Sequence, residues 1–173
     1  LRINDRTTPF WKADVQFAAR YEFLSVMLPK ANKAEDVKVL AKHLREKQEI
    51  IPLIETAKGI QFAYEIATAS PVISRLAFGA LDYCLDLGIS VTPTGEELLY
   101  PRSQLVVASK AAGIAPPVDT VFANFQDKDG LISDANRAKQ LGFQAKLCIH
   151  PEQLDVVNVV FRPTEAELEW ALQ

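Results

Sequence analysis

Cysteine is scarce in this sequence: Cys84 and Cys148 are the only two, and they lack the spacing of a metal site. A zinc module and a disulfide scaffold are therefore excluded. Each cysteine sits in apolar sequence and is expected to be a reduced core thiol, with the cytoplasm as the expected compartment. There is no GxGxxG, P-loop, HExxH or GxSxG pattern, so nucleotide-hydrolysing, zinc-protease and serine-hydrolase chemistry have no footing. No apolar run approaches the ~18 residues of a membrane span, and Leu1 opens no signal-peptide pattern. A net charge of −3 without a basic stripe gives no case for nucleic acid. What remains is 49% apolar and 24% charged, which suits one globular domain with a substantial core.

The chain is organised around Ile50 to Gly88. IIPLIET is an apolar run ending in Glu55; RLAFGALDYCLDLG carries the apolar run Leu76 to Phe78, then Gly79 and, within a turn, Asp82. Short apolar runs bounded by turn residues read as buried strands. Between them Ile60, Ala63, Tyr64 and Ala67 recur at i, i+3, i+4 and i+7, one face of a helix. Strand, helix, strand is a parallel crossover, which brings both strand ends to one edge of the sheet. Neighbouring strands lie roughly 5 Å apart, so Glu55 and Asp82 can meet on one cation at the edge where parallel α/β folds bind ligands. Mg2+ suits such a pair, because it commonly takes one or two protein carboxylates and keeps several waters. A plainer role is open to both residues. Glu55 can face the N-terminus of the following helix, and Asp82 can be a turn residue.

The rest of the chain alternates. LRIN (1–4) reads as a strand carrying Arg2, followed by a helix from about Phe10 to Arg20. FLSVMLPK (23–30) is a strand stopped by Pro29, with Lys30 at its mouth. Ala34 to Lys47 is an amphipathic helix with Val37, Leu40, Ala41 and Leu44 on one face. After the central unit, 89–96 is a loop and Glu97 to Ala112 a long helix. A short strand near Val118 ends in Asp119, NFQDKDG is a loop, and Leu131 to Leu141 is a helix stopped by Gly142. AKLCIHP (145–151) is the last strand, with His150 at its end. Pro151 opens a further helix, and Thr164 with Glu167 makes the capping box of the final one.

Six strands alternating with helices predict a parallel sheet covered by helices, either doubly wound or a (β/α)8 barrel. Arg2, Lys30, Glu55, Asp82, Asp119 and His150 all fall at or just after strand ends, which favours a barrel, since closure gathers such positions around one mouth. A complete barrel needs eight strands and ~250 residues. The expectation is a single partial TIM-barrel domain over residues 1–173, with the first two β/α units outside the sequence. Arg2 can grip a carboxylate with its planar fork or join a salt bridge. Lys30 can support the site electrostatically or pair with an acid. Asp86 is expected to be a solvated turn acid and His43 a surface residue. Asp119 and Lys146 can pair with one another or line the mouth, the structural pair being expected, and His150 can be a general base or, as expected, a positioning element with a satisfied ring. For Arg102 a phosphate contact and a salt bridge are both open.

The motifs RIN (2–4), MLPK (27–30), PLIET (52–56), RLAFGALD (75–82), PRS (101–103) and LGFQAKLCIHPEQ (141–153) resemble, in order and spacing, the HpcH/HpaI aldolase and citrate lyase family. The resemblance is greatest to citrate lyase beta subunit-like proteins, although Ala145 stands where the family commonly has Gly. It implies that the chain covers about strands 3–8 of the TIM barrel. An FVPG-like strand, an LED-type motif and a C-terminal segment whose Asp reaches a neighbouring subunit are then expected outside it. The resemblance further implies a Mg2+-dependent carbon–carbon lyase that cleaves a hydroxyacyl-CoA thioester of the citryl-CoA or malyl-CoA type to acetyl-CoA and a 2-oxo acid. The metal is expected on Glu55 and Asp82, and the oxo acid on Arg2 with Lys30 beside it. Arg2, Glu55 and Asp82 are thus the candidate catalytic residues, with a base expected beyond Gln173. A homo-oligomer, a trimer in the family, is implied as well. The alternatives are a class II aldolase that releases pyruvate from a hydroxy-oxo-acid, and a non-catalytic scaffold subunit.

Overall fold

The computed structural model describes residues 1–172, the side chain of Ala166 excepted. Its strands are β1 (Val26–Leu28), β2 (Ile50–Ile54), β3 (Ala77–Phe78), β4 (Val118–Asp119) and β5 (Ala145–Lys146), all parallel and lying in the sheet in chain order. Helix α1 (Trp11–Ala18) precedes them. Between strands run α2 (Ala34–Ala41), α3 (Ala57–Gln61) with α4 (Ala63–Ala67), α5 (Ala80–Leu87) with α6 (Leu99–Ala111), and α7 (Lys128–Leu141); α8 (Gln153–Phe161) and α9 (Glu165–Ala171) follow. A doubly wound sheet reverses its strand order at a switch point, and no reversal occurs among the described strands. Right-handed crossovers that always advance the same way leave every helix on one face. Accordingly Val15, Leu40, Ile60, Ile66, Tyr83 and Leu105 share one apolar cluster with the strand residues Val26, Leu28, Ile50, Ile54 and Phe78. Among the described residues, no helix is long and apolar enough to cross a membrane.

The other face of the sheet has its own, smaller cluster: Leu53, Ala77 and Val118, with Met27, Ile51, Ala145 and Leu147 against them. Leu53, Ala77, Val118 and Ala145 stand in register across four strands. Neighbours along a strand point to opposite faces, and residues in register share one. Arg2 pairs with Met27 in an isolated bridge and so belongs to this inner face; Glu55, two residues after Leu53, continues it.

Asp119 and Lys146 are also in register but sit one residue further along, so they face the helices. Arg102 of α6 donates through Nε and Nη2 to the two oxygens of Asp119, both at 2.9 Å. Its Nη2 also meets Asp134 of α7 at 2.9 Å, and Lys146 Nζ reaches Asp119 at 2.7 Å and Asp134 at 2.5 Å. Arg102 and Asp119 are completely buried. Two cations and two anions close a ring between the sheet and two helices. Burial works to raise the Asp134 carboxyl, but Lys146 and Arg102 outweigh it and hold the group below its ordinary 3.8.

Several element bounds differ from the sequence expectation. The expected first strand is reduced to the bridge at Arg2, and the other strands are shorter than the apolar runs suggest. Helix α2 ends at Ala41 rather than Lys47. The buried Gln48 donates its side-chain amide to the carbonyls of Ala18, Tyr21 and Leu24, which requires a turn there. Tyr64 is exposed; the buried face of α3 and α4 is Ile60, Ala63, Ile66 and Ala67, because the helix breaks at Phe62 and its phase shifts. Helix α7 starts at Lys128, before the expected Leu131, since the Asp127 side chain caps it through Gly130 N–H at 2.9 Å. Gly142 ends it at φ +105°, and Thr164 and Glu167 form the expected capping box.

A depressed carboxyl contributes stability that is present above its unfolded pKa and lost as pH falls through the folded one. Wild-type stability should therefore fall as pH drops below about 4. Asp134→Asn should flatten that dependence and, at neutral pH, cost about 3–5 kcal/mol, since it leaves two buried cations sharing one acid. Urea denaturation at pH 7 and pH 3 checks both effects.

Candidate metal and substrate site

Glu55 follows β2 directly and is 4% exposed, whereas Asp82 lies exposed in the first turn of α5. The Glu55 Oε1 accepts the backbone N–H of Lys30 at 2.8 Å. Lys30 is the one non-glycine residue with positive φ, at 49°, among the described residues. That conformation is uncommon for a side chain with a Cβ. Gly79 closes the other side, donating its N–H to Ile54 O at 2.9 Å. A Cβ on Gly79 would lie 2.6 Å from the Glu55 Cβ and 2.7 Å from its Oε2, so only glycine lets β3 run this close to the carboxylate. The buried Thr120 hydroxyl then takes the N–H of Ala80 at 2.9 Å and fixes the start of α5.

The capping role that the sequence left open for Glu55 is filled by others. Thr56 caps α3 through Gly59 N–H at 3.0 Å, and Asp86 accepts Ala57 N–H at 2.9 Å. Asp86 is thus engaged across two elements instead of merely solvated. Burial is the main influence on the Glu55 carboxyl and pushes it above its ordinary 4.5; the Lys30 N–H opposes this, Asp82 reinforces it, and Arg2 and Lys30 oppose it through their charge.

The donor set fits Mg2+. Glu55 and Asp82 follow the adjacent strands β2 and β3, and among the described residues neither is in an ion pair with a protein cation. No group of three or more His, Cys, Asp or Glu side chains gathers among the described residues. That suits a hard ion that keeps water and substrate as its other ligands, and it offers nothing for zinc. Arg2 and Lys30 are exposed and likewise form no ion pair among the described residues.

The other candidates go elsewhere. Asp119 is not at the mouth but on the helix side with Lys146, as the structural pair, and Arg102 takes the salt-bridge alternative. His150 stacks on Phe125 with centroids 4.4 Å apart, and its Nδ1 accepts Glu152 N–H at 3.3 Å. His43 is exposed, bonding the Val39 carbonyl at 2.8 Å. Both cysteines are free, their thiols pushed up by burial. Sequence reasoning missed Asp134, although a signal existed: it lies in the stripe of Leu131, Ala135 and Ala138, an acid on an apolar helix face. Thr120 and the close approach at Gly79 had no comparable signal.

Gly79→Ala should cost about 1–3 kcal/mol by overpacking, since the obstacle includes the Glu55 Cβ and not only the movable carboxylate. Equilibrium denaturation measures this, and Glu55→Ala in the same background should recover part of the loss.

The chain as a whole is similar to known proteins. The model of the HpcH/HpaI aldolase/citrate lyase family matches residues 1–151. The citrate lyase subunit beta of Leuconostoc mesenteroides subsp. cremoris is 35% identical over 178 residues, 97% of this chain; the chain spans 59% of that relative's length. RipC from Yersinia pestis superposes with a TM-score of 0.89 at 34% identity, covering 97% of this chain and 78% of the other. CitE from Mycobacterium tuberculosis, solved in complex with magnesium, acetoacetate and coenzyme A, gives a TM-score of 0.83 at 34% identity over 99% of this chain and 63% of the other.

Proposed function

The chain belongs to the HpcH/HpaI aldolase/citrate lyase family, and from that premise we propose that it carries the metal and oxo-acid site of a Mg2+-dependent carbon–carbon lyase. The substrate is a hydroxyacyl-CoA thioester of the citryl-CoA or malyl-CoA type. The observation that carries this is Glu55, a buried carboxylate whose carboxyl is pushed up by burial, tied to the Lys30 N–H and unpaired with any cation of the described residues, at the end of the strand next to the one that leads to Asp82. In this reading residues 1–173 are one partial (β/α)8 domain covering about strands 3–8, which the sequential strand order supports. The magnesium, acetoacetate and coenzyme A held by the CitE relative support the ligand class. The reading includes a cytoplasmic homo-oligomer, a trimer by the family resemblance. Unbridged Cys84 and Cys148 are consistent with a reducing compartment, and Leu85 and Val107, exposed at 80% and 63%, offer apolar area for subunit contact.

Glu55 and Asp82 would hold the ion, which supplies positive charge against the oxygen where negative charge develops. Arg2 presents two parallel N–H donors to the oxo-acid carboxylate, and Lys30 adds its ammonium from a backbone already tied to Glu55. Beneath them Leu53, Ala77 and Val118 keep the floor apolar, which strengthens charge interactions above it. In the cleavage, the hydroxyl proton leaves to a base and the hydroxyl carbon becomes the carbonyl of the 2-oxo acid. The electrons of the broken bond pass to the thioester as an enolate, which is protonated to acetyl-CoA. The base is assigned to none of these four residues.

The test is acetyl-CoA formation from citryl-CoA and malyl-CoA with and without Mg2+. Turnover of one thioester should require Mg2+ and fall by about 10³ or more in Glu55→Gln and in Asp82→Asn, the equivalent of several kcal/mol of lost charge stabilisation. Arg2→Lys should chiefly raise KM, because a point charge replaces a fork. Pyruvate release from hydroxy-oxo-acids in place of acetyl-CoA would move the protein to the aldolase branch. Inactivity on both, without Mg2+ uptake, would favour the scaffold.

A further inference from the structure

Both candidate ligands sit beside a single hydrogen bond that crosses between their elements. Asp86 lies on α5 one turn beyond Asp82, on the same side of the helix. Its Oδ2 accepts the N–H of Ala57 at 2.9 Å. Ala57 is two residues after Glu55 and opens α3, so its N–H belongs to the first-turn donors that have no partner within a helix. Thr56 satisfies Gly59 in the same turn. Without Asp86, the Ala57 donor would turn to water.

We propose that Asp86 is a positioning residue of the metal site, setting the separation of Glu55 and Asp82 by locking α5 to the start of α3. This rests on the assignment of those two carboxylates as metal ligands. Each end of the bond reaches its ligand through very little chain: two residues on one side, one helical turn on the other. The remaining ties between these elements act at other points. Gly79 fixes how closely β3 passes Glu55, and Thr120 holds Ala80 at the first residue of α5. Those two restrain the N-terminal end of α5, and Asp86 restrains its far end, so together they define the helix direction and with it the aim of Asp82. Asp86 and Ala57 are both exposed, so water can replace either partner. The bond therefore adds little to global stability, and its effect is geometric.

A calorimetric titration with Mg2+, repeated on three proteins, tests this. Asp86→Ala should weaken Mg2+ binding about tenfold, as loss of a residue that orients a metal ligand commonly does, with a melting temperature close to that of the wild type. Asp86→Asn keeps an oxygen that accepts the Ala57 N–H, so its affinity should stay within about threefold of the wild type. Hydrogen exchange at the Ala57 amide should speed up in Asp86→Ala and not in Asp86→Asn. Equal affinity in Asp86→Ala and wild type overturns the proposal. So does an Asp86→Asn that falls as far as Asp86→Ala, because the effect would then be one of charge. If the wild type takes up no Mg2+, the metal assignment itself fails and this role fails with it.

Discussion

The end of this sheet is shaped around Glu55, a carboxyl group nearly removed from water. Burial penalises the ionised form, and the compensation that the protein provides is mostly geometric. Lys30 adopts a left-handed backbone conformation and turns its N–H onto Oε1. A strained conformation of this kind persists where its surroundings hold it in place, and functional sites are where such strain clusters. On the opposite side a glycine stands where any Cβ would collide with the carboxylate. The turn after β1 and the end of β3 are thus both shaped around one side chain at the end of β2.

The protein treats its other buried acids differently. Asp119 and Asp134 are clamped by Arg102 and Lys146 at hydrogen-bond distance, and the ring of four is neutral. Such a ring is costly to bury, but breaking it costs more, because an unpaired charge remains inside. What separates the two groups of acids is a single step of strand phase. Val118 and Ala145 lie on the inner face, so their neighbours Asp119 and Lys146 must face the helices. A one-residue slip would carry the ring to the inner face and the apolar floor to the helices. The same register that pairs Leu53 with Ala77 and Val118 therefore keeps structural ions away from the candidate ligands.

Much of this was legible in the chain. Alternation of apolar runs with helical stripes is a local property, and it anticipated the parallel order, the stop at Gly142 and the box at Thr164 and Glu167. Glu55 and Asp82 stood out as candidates because a crossover unit brings its strand ends to one edge. Strand ends alone, however, do not tell which face a residue takes, and Asp119 shows the consequence. Its position at a strand end left the mouth open beside a pairing with Lys146, and its phase relative to Val118 decides for the expected pairing. Tyr64 fits the stripe of an unbroken helix, and the break at Phe62 turns it outward. The link from Asp86 to Ala57 joins residues far apart in sequence through a backbone donor, which carries no residue type to be recognised.

Two ways of holding a buried carboxylate coexist here, and they suit different tasks. Where stability is the need, Asp119 receives cations from the protein itself, and the geometry closes on itself with nothing further to accept. At Glu55 the nearest help is a backbone dipole, and burial, reinforced by Asp82, leaves its carboxyl above the ordinary range despite Arg2 and Lys30. A backbone N–H fixes the direction of one oxygen without neutralising the charge, so the electrostatic demand of the pair remains. Arg2 or Lys30 in an ion pair with Glu55 would meet that demand, and would at the same time remove the cations that can grip an anionic substrate. Keeping acids and bases of the inner face close but unpaired preserves both for ligands. The cost appears as strain at Lys30 and as the loss of a side chain at Gly79.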